Sequence, residues 1–204
     1  MTIRLLKTQP TLETERLRLR PFTPADAPFV QELAGDRDVA STTRLIPHPY
    51  PPGMAEAWIG SLSEKYRNQE FVAFCITDKA TQAVMGSLGL ILSSTDDHAE
   101  LGYWVGRPFW NQGFCTEAAY AVCTYAFRTV KLHRVYAKCM TRNPASIRVM
   151  EKLGMQREGV LRQHRKKWGV YEDLVLCAVL RDEFRDDGHV EISARRRAKK
   201  PPVG

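Results

Sequence analysis

Residues 102–130 read GYWVGRPFWNQGFCTEAAYAVCTYAFRTV. A strand-like run passes through a loop with glycines at 106 and 113 and goes straight into a strongly apolar helix. A strand feeding a helix that must be covered by other elements requires a layered α/β domain, so this segment sets the frame for the rest of the chain. Around it, ERLRLRPF at 15–22 alternates as a half-buried strand, and TPADAPFVQELAG opens a helix with a threonine, a proline and an acid. RLIPHPYPPG ends a loop spanning 36–53, and MAEAWIGSLSEKYR is a second helix. FVAFCIT and QAVMGSLGLIL form a hairpin across DKAT, AELGYWVG is the strand entering the glycine loop, and HRVYAKCM is a strand. NPASIRVMEKLG is a short helix capped by Asn143 and ended by Gly154, and two strands follow around Gly169. The order β-α-α-β-β-β-α-β-α-β-β predicts one α/β domain over residues 1–187, with a mixed sheet and about four helices.

The 204 residues include 44% hydrophobic and 26% charged side chains, ordinary for a globular domain with its own core. No stretch approaches the roughly 20 uncharged apolar residues of a membrane span, and the charged N-terminal segment lacks a signal-peptide core. The five cysteines form no C-x-x-C pair, which suits free thiols in a cytoplasmic protein better than a disulfide framework or a zinc site. Of the 30 basic residues, five lie in ARRRAKKPPVG, and the 25 in residues 1–194 face all 23 acids. The net charge of +7 is therefore mostly a property of the end of the chain. Residues 188–204 read as a basic, disordered tail, and a nucleic-acid partner is disfavoured because the body is nearly neutral.

The first amides of the helix after Gly113 have no partner within the helix and carry the positive end of its dipole. Small residues at 115 and 116 let an anion approach, so the turn reads equally well as a phosphate cradle or as an ordinary strand–helix turn. It matches neither a P-loop nor a dinucleotide-binding fingerprint.

YWVGRPFWNQGFCTEA, followed by NPASIRVMEKLGM, resembles the GNAT superfamily of N-acetyltransferases. TERLRLRPF near the start and VYEDLVL near the end fit its RimJ/RimL-like branch, which acetylates ribosomal-protein N-termini, so the resemblance covers roughly residues 12–180. It implies a GNAT-type fold, acetyl-CoA as co-substrate, an amine acceptor and no metal. Gln112, Gly113, Phe114, Cys115 and Thr116 would hold the pyrophosphate. Trp104 and Val105 would pair with the pantetheine arm, and Asn143 would contact it. Here Cys115 replaces the usual glycine or alanine, and Trp110 the usual polar residue.

The transfer needs a base, because an alkyl ammonium has no lone pair. Glu100 matches the family's base position, with an ion-paired surface carboxylate as the alternative and His98 as the runner-up. The tyrosine that many relatives use as acid is replaced by Met150. Ser146 would then assist the leaving thiolate, as in the RimJ/RimL-like branch, with a helix-cap role or Tyr171 left open. Cys115 at a helix start would have a depressed pKa, yet it has no recognisable partner and reads as filler. Trp104, Trp110 and Tyr103 read as core aromatics. RQHRKK at 162–167 reads as a solvated strand face, with an acidic acceptor or the coenzyme's 3′-phosphate as its alternative partners. Loop 36–53, with Arg44, His48 and Tyr50, and segment 162–171 are expected to wall the acceptor pocket. A protein N-terminal α-amine leads, and a small amine such as a polyamine or aminoglycoside follows. A non-catalytic acyl-CoA sensor is the other reading, and a homodimer is left open.

Overall fold

A computed structural model describes residues 5–193. Strands β1 (Thr11–Glu13) and β2 (Leu17–Arg20) lead to helices α1 (Ala27–Gly35), α2 (Arg37–Thr42) and α3 (Met54–Arg67). Strands β3 (Phe71–Asp78), β4 (Val84–Ser93) and β5 (His98–Val105) precede helix α4 (Phe114–Tyr125). Strand β6 (Arg134–Met140), helix α5 (Pro144–Lys152) and strands β7 (Gln156–Lys167), β8 (Val170–Leu180) and β9 (Glu191–Ser193) complete the order. The strands form one sheet in the order β7-β8-β6-β5-β4-β3-β2-β1-β9, in which only the β5–β6 pairing is parallel among the described residues.

The local chemistry explains the element starts. The Thr23 amide and hydroxyl donate to Asp26 Oδ2 at 2.7 and 3.0 Å, and Arg20 grips the same carboxylate at 2.8 and 2.7 Å. This seals the entry to α1 and ties it to β2. Asn143 Oδ1 accepts the Ser146 amide at 3.1 Å, and Pro144 supplies the first helical residue of α5. The long apolar helix expected over 115–130 is regular to Tyr125 and then widens into one π turn over Ala126–Val130.

Three expectations change. The segment 36–53 is not all loop, because Asp36 Oδ1 caps α2 by accepting the Asp38 and Val39 amides. With α2 the described residues form five α-helices. Within the segment expected to be tail from residue 188, Glu191–Ser193 pairs with β1 as an edge strand. The basic run at 195–200 lies outside the described residues.

Alternation assigns the two faces of the sheet. Leu88, Leu90, Leu101 and Val105 share a core with α4, while Trp104 packs against the smaller cluster of Val30, Ala34 and Ile59 from α1 and α3. Odd-numbered residues of β5 therefore look toward α4 and α5. Glu100, Gly102 and Trp104 look toward α1–α3.

The sheet is split at its centre. β5 and β6 pair only through His98↔Arg134, Ala99↔Val135 and Glu100↔Tyr136. β5 nevertheless stays on β4 as far as Val105, and β6 stays on β8 as far as Met140. Residues 101–105 and 137–140 thus diverge, leaving a slot between two strands in the middle of the sheet. Backbone groups along such a slot need partners that the fold itself does not give them.

Candidate active site

The slot opens into a cavity of roughly 740 Å³, ample for a cofactor-sized ligand. It runs from the start of α4 and the first turn of α5, through the sheet, to the space under α1–α3. Glu100, Trp104, Val105, Gly113, Phe114, Cys115, Thr116, Asn143 and Ser146 all line it. Gln112 does not: its Nε2 turns back to donate to the Pro108 carbonyl at 2.9 Å.

At the α4 end, Gly113 holds φ +81°, a conformation costly for any residue with a Cβ. The first intrahelical bond is Glu117 N to Gly113 O at 3.0 Å, so the amides of residues 114–116 remain free at the positive end of a 12-residue helix. A bracket holds this turn. Arg16 donates through Nε to Glu117 at 2.7 Å and through Nη1 to the Gln112 carbonyl at 3.1 Å, and it lies over the Phe114 ring at 4.4 Å. Glu117 also accepts from the Thr14 hydroxyl at 2.6 Å and the Arg16 amide at 3.0 Å. Burial pushes the Glu117 carboxyl up, yet these hydrogen bonds outweigh it and leave its pKa lowered. Cys115 lacks the depressed pKa of a helix-start thiol and is the filler the sequence suggests. Burial pushes its thiol up to about 12, overriding the helix dipole, so it is a filler and not a thiolate.

On the α5 side, the Ser146 hydroxyl lies 2.7 Å from the Tyr103 hydroxyl, which also contacts the Ser146 carbonyl at 3.2 Å. Ser146 is buried, and its backbone amide, not its hydroxyl, serves the Asn143 cap. Burial holds the Tyr103 pKa far above that of free tyrosine, so this phenol stays protonated. Met150 is wholly buried in the core.

On the opposite side, Glu100 Oε1 meets Arg44 at 3.2 Å and Oε2 meets Lys138 at 3.1 Å. The carboxylate is therefore both ion-paired and on the cavity wall. His98 is not among the lining residues; it faces Tyr136, with ring centroids 5.4 Å apart. Arg44 and Tyr50 line the cavity, whereas His48 Nδ1 bonds the Gly35 carbonyl at 3.0 Å. Tyr171 is 60% exposed under Lys166 and does not reach in. The 162–167 cluster is only partly a solvated face. Arg165 lines the cavity, and Lys167 is buried with Nζ on the Ile46 carbonyl at 2.7 Å.

The model of the acetyltransferase (GNAT) domain matches residues 16–156. The chain belongs to the GNAT acetyltransferase family. This acetyltransferase is 30% identical over 175 residues to the uncharacterized N-acetyltransferase p20 of Bacillus licheniformis, covering 85% of this chain and 98% of that one. It is 27% identical over 134 residues to the [Ribosomal protein uS5]-alanine N-acetyltransferase of Escherichia coli, covering 65% and 69%. The structure of Mycobacterium smegmatis RimJ in complex with CoA-disulfide superposes with a TM-score of 0.78 at 21% identity, covering 90% of this chain and 99% of that one. The last likeness is one of fold.

Sequence reasoning missed Tyr103, Lys138 and Arg16 at the candidate site, whereas Arg165 falls in the segment expected to wall it. Lys138 and Glu100 sit on the same face of neighbouring strands, so period-two alternation of 134–140 could have signalled that pair. Tyr103 and Ser146 are 43 residues apart and meet only through the packing of α5 on the sheet.

Proposed function

We propose that this enzyme transfers the acetyl group of acetyl-CoA directly to a primary amine in a ternary complex, with a protein N-terminal α-amine as acceptor. The observation that carries it is the slot, which runs from a ready anion cradle, through the sheet, to a carboxylate on the far face. The amides of residues 114–116 suit a pyrophosphate, and the unpaired backbone of β5 beyond Glu100 suits an amide-bearing arm. Of that strand, the Val105 carbonyl is already taken by the Trp110 indole at 2.6 Å, so the pairing falls on residues before it. Asn143 spends its carbonyl oxygen on the helix cap, which leaves its amide group to donate.

Two proton movements accompany formation of the C–N bond and loss of the C–S bond. Glu100 takes the proton that the acceptor ammonium must shed. Ser146, hydrogen-bonded to a Tyr103 that stays protonated, donates to the departing sulfur. Exposed apolar side chains favour a macromolecular acceptor: Leu45, on the cavity wall, is 67% exposed, and Trp168, whose ring lies 6.1 Å from that of His48, is 47% exposed. Lys167 and Arg165 join their hairpin to loop residues 44–46 through the bonds to Ile46 and Arg44.

Thermal unfolding with acetyl-CoA at about a hundredfold its Kd tests the site. Binding to the folded state alone adds roughly 2.7 kcal/mol, which raises Tm by roughly 5–10 °C for a domain of this size. ADP should give no such rise. Glu100→Gln should keep the rise and lose about a hundredfold or more in turnover. No shift at saturating ligand would leave the cradle as an ordinary turn and end the proposal.

A further inference from the structure

The acceptor half of the cavity holds positive charge that its own acids do not balance. Arg44, Lys138 and Arg165 line it, and Glu100 is the one carboxylate among the described lining residues. Both Glu100 oxygens are engaged by Arg44 and Lys138. Arg165 is left over. Its Nη2 makes a long bond of 3.4 Å to the Arg44 carbonyl, and its Nε is buried with no hydrogen-bond partner. Behind it, Lys167 is 6% exposed and bonded only to a neutral carbonyl, while Arg142 is paired with Glu172 at 2.8 Å. Burial, then Arg165 and Arg142, lowers the Lys167 pKa, so the excess charge is felt inside the fold. A buried guanidinium donor without an acceptor loses its hydration and gains nothing for it.

We infer that the acceptor carries a carboxylate close to its amine, and that this group docks on Arg165 beside Arg44 while the amine reaches Glu100. The inference rests on the proposed acetyl transfer and narrows its acceptor. A carboxylate in the cavity matches the planar fork of the guanidinium that Arg165 presents to it. The same field repels a polycation. An acidic protein N-terminus thus fits the site, and polyamines and aminoglycosides do not.

The test measures kcat/KM for three hexapeptides that differ only at residues 2 and 3, which are Glu-Glu, Gln-Gln or Lys-Lys, with spermidine as a fourth substrate. The acidic peptide should exceed the neutral one by about tenfold or more, and the basic peptide and spermidine should fall below both. Arg165→Glu should reverse the order of the acidic and basic peptides, and Arg165→Lys should retain the wild-type order. A retained rise of Tm with acetyl-CoA shows that each variant is folded. Where Arg165→Glu does not fold, a salt series on the wild type decides the matter, because the acidic preference must shrink as the Debye length falls from about 10 to about 3 Å. Equal kcat/KM for the acidic and neutral peptides, an unchanged order in Arg165→Glu, or a salt-independent preference would overturn the inference. If acetyl-CoA stabilises the fold but neither peptides nor spermidine are acetylated, the proposed function fails first and takes this inference with it.

Discussion

The bracket at Glu117 gives the sharpest quantitative expectation. Glu117→Gln keeps the shape and one carbonyl oxygen, which can still accept from Thr14 or the Arg16 amide. Its NH₂ group, however, points two donors at the Arg16 guanidinium, where the wild type has bonds of 2.7 and 2.6 Å. Hydrogen bonds to charged groups contribute about 1.5–3 kcal/mol each, and this pair shares one geometry, so the two do not add fully. The Arg16 side chain is 44% exposed and its charge is screened, whereas Glu117 is only 18% exposed. About 2–3 kcal/mol of stability is the expected loss. At roughly 2–4 °C per kcal/mol, Tm should fall by roughly 5–10 °C at pH 7 in a thermal scan. The KM for acetyl-CoA should rise, because Arg16 no longer fixes the Gln112 carbonyl beside the cradle, while the KM for the acceptor stays put. The pH dependence adds a check of sign. Glu117 has a folded pKa below its ordinary 4.5, so its contribution is present above that value and is lost as pH falls through the folded pKa. The gap between wild type and Glu117→Gln should therefore close in acid. A Tm change under about 2 °C at pH 7, or a gap that does not narrow as the pH is taken progressively below 4.5, would refute the reasoning.

The other expectations concern the slot and its walls. Ser146→Ala and Tyr103→Phe should each lower kcat by about ten- to a hundredfold with the KM for acetyl-CoA unchanged, and the double variant should lose little more than either alone if the two hydroxyls act as one unit. Gly89 and Gly102 face each other across β4 and β5, yet their alanine variants should behave oppositely. A Cβ at Gly89 would lie 2.5 Å from the Val72 carbonyl oxygen, so Gly89→Ala should cost about 1–3 kcal/mol in denaturant unfolding. A Cβ at Gly102 meets nothing within 4 Å but projects into the cavity, so Gly102→Ala should leave stability within about 0.5 kcal/mol and reduce turnover.

Much of the scaffold is legible in the sequence because its elements carry strong local signals. The 54–67 helix pattern and the Asn143-Pro144 start both fall where the structure has them. β1 and β9 are three residues each, too short for any period to register, and α2 depends on a single cap at Asp36 inside a proline-rich segment. The site divides in the same way. Gly113 to Thr116, Asn143, Ser146 and Glu100 are marked by loop chemistry and family motif, and they meet at one cavity. Gln112 departs because its side chain finds a nearer partner in Pro108, and Tyr171 because its hairpin carries it into solvent. What sequence does not carry is register. The divergence of β5 from β6 after three pairs follows from how whole strands are held by β4 and β8, and no local pattern encodes it.

The two faces of the split sheet have different freedoms to change. The anion cradle and the Ser146–Tyr103 pair lie on the α4–α5 side, and Glu100, Arg44 and the apolar wall of Tyr50 and Trp58 lie on the other. The sheet acts as a partition with one window in it. On the proposed function, substitutions under α1–α3 would remodel which amine is accepted while the donor side is inherited intact. A chain built that way would exchange one acceptor for another by point mutation, without passing through an intermediate that has lost its donor.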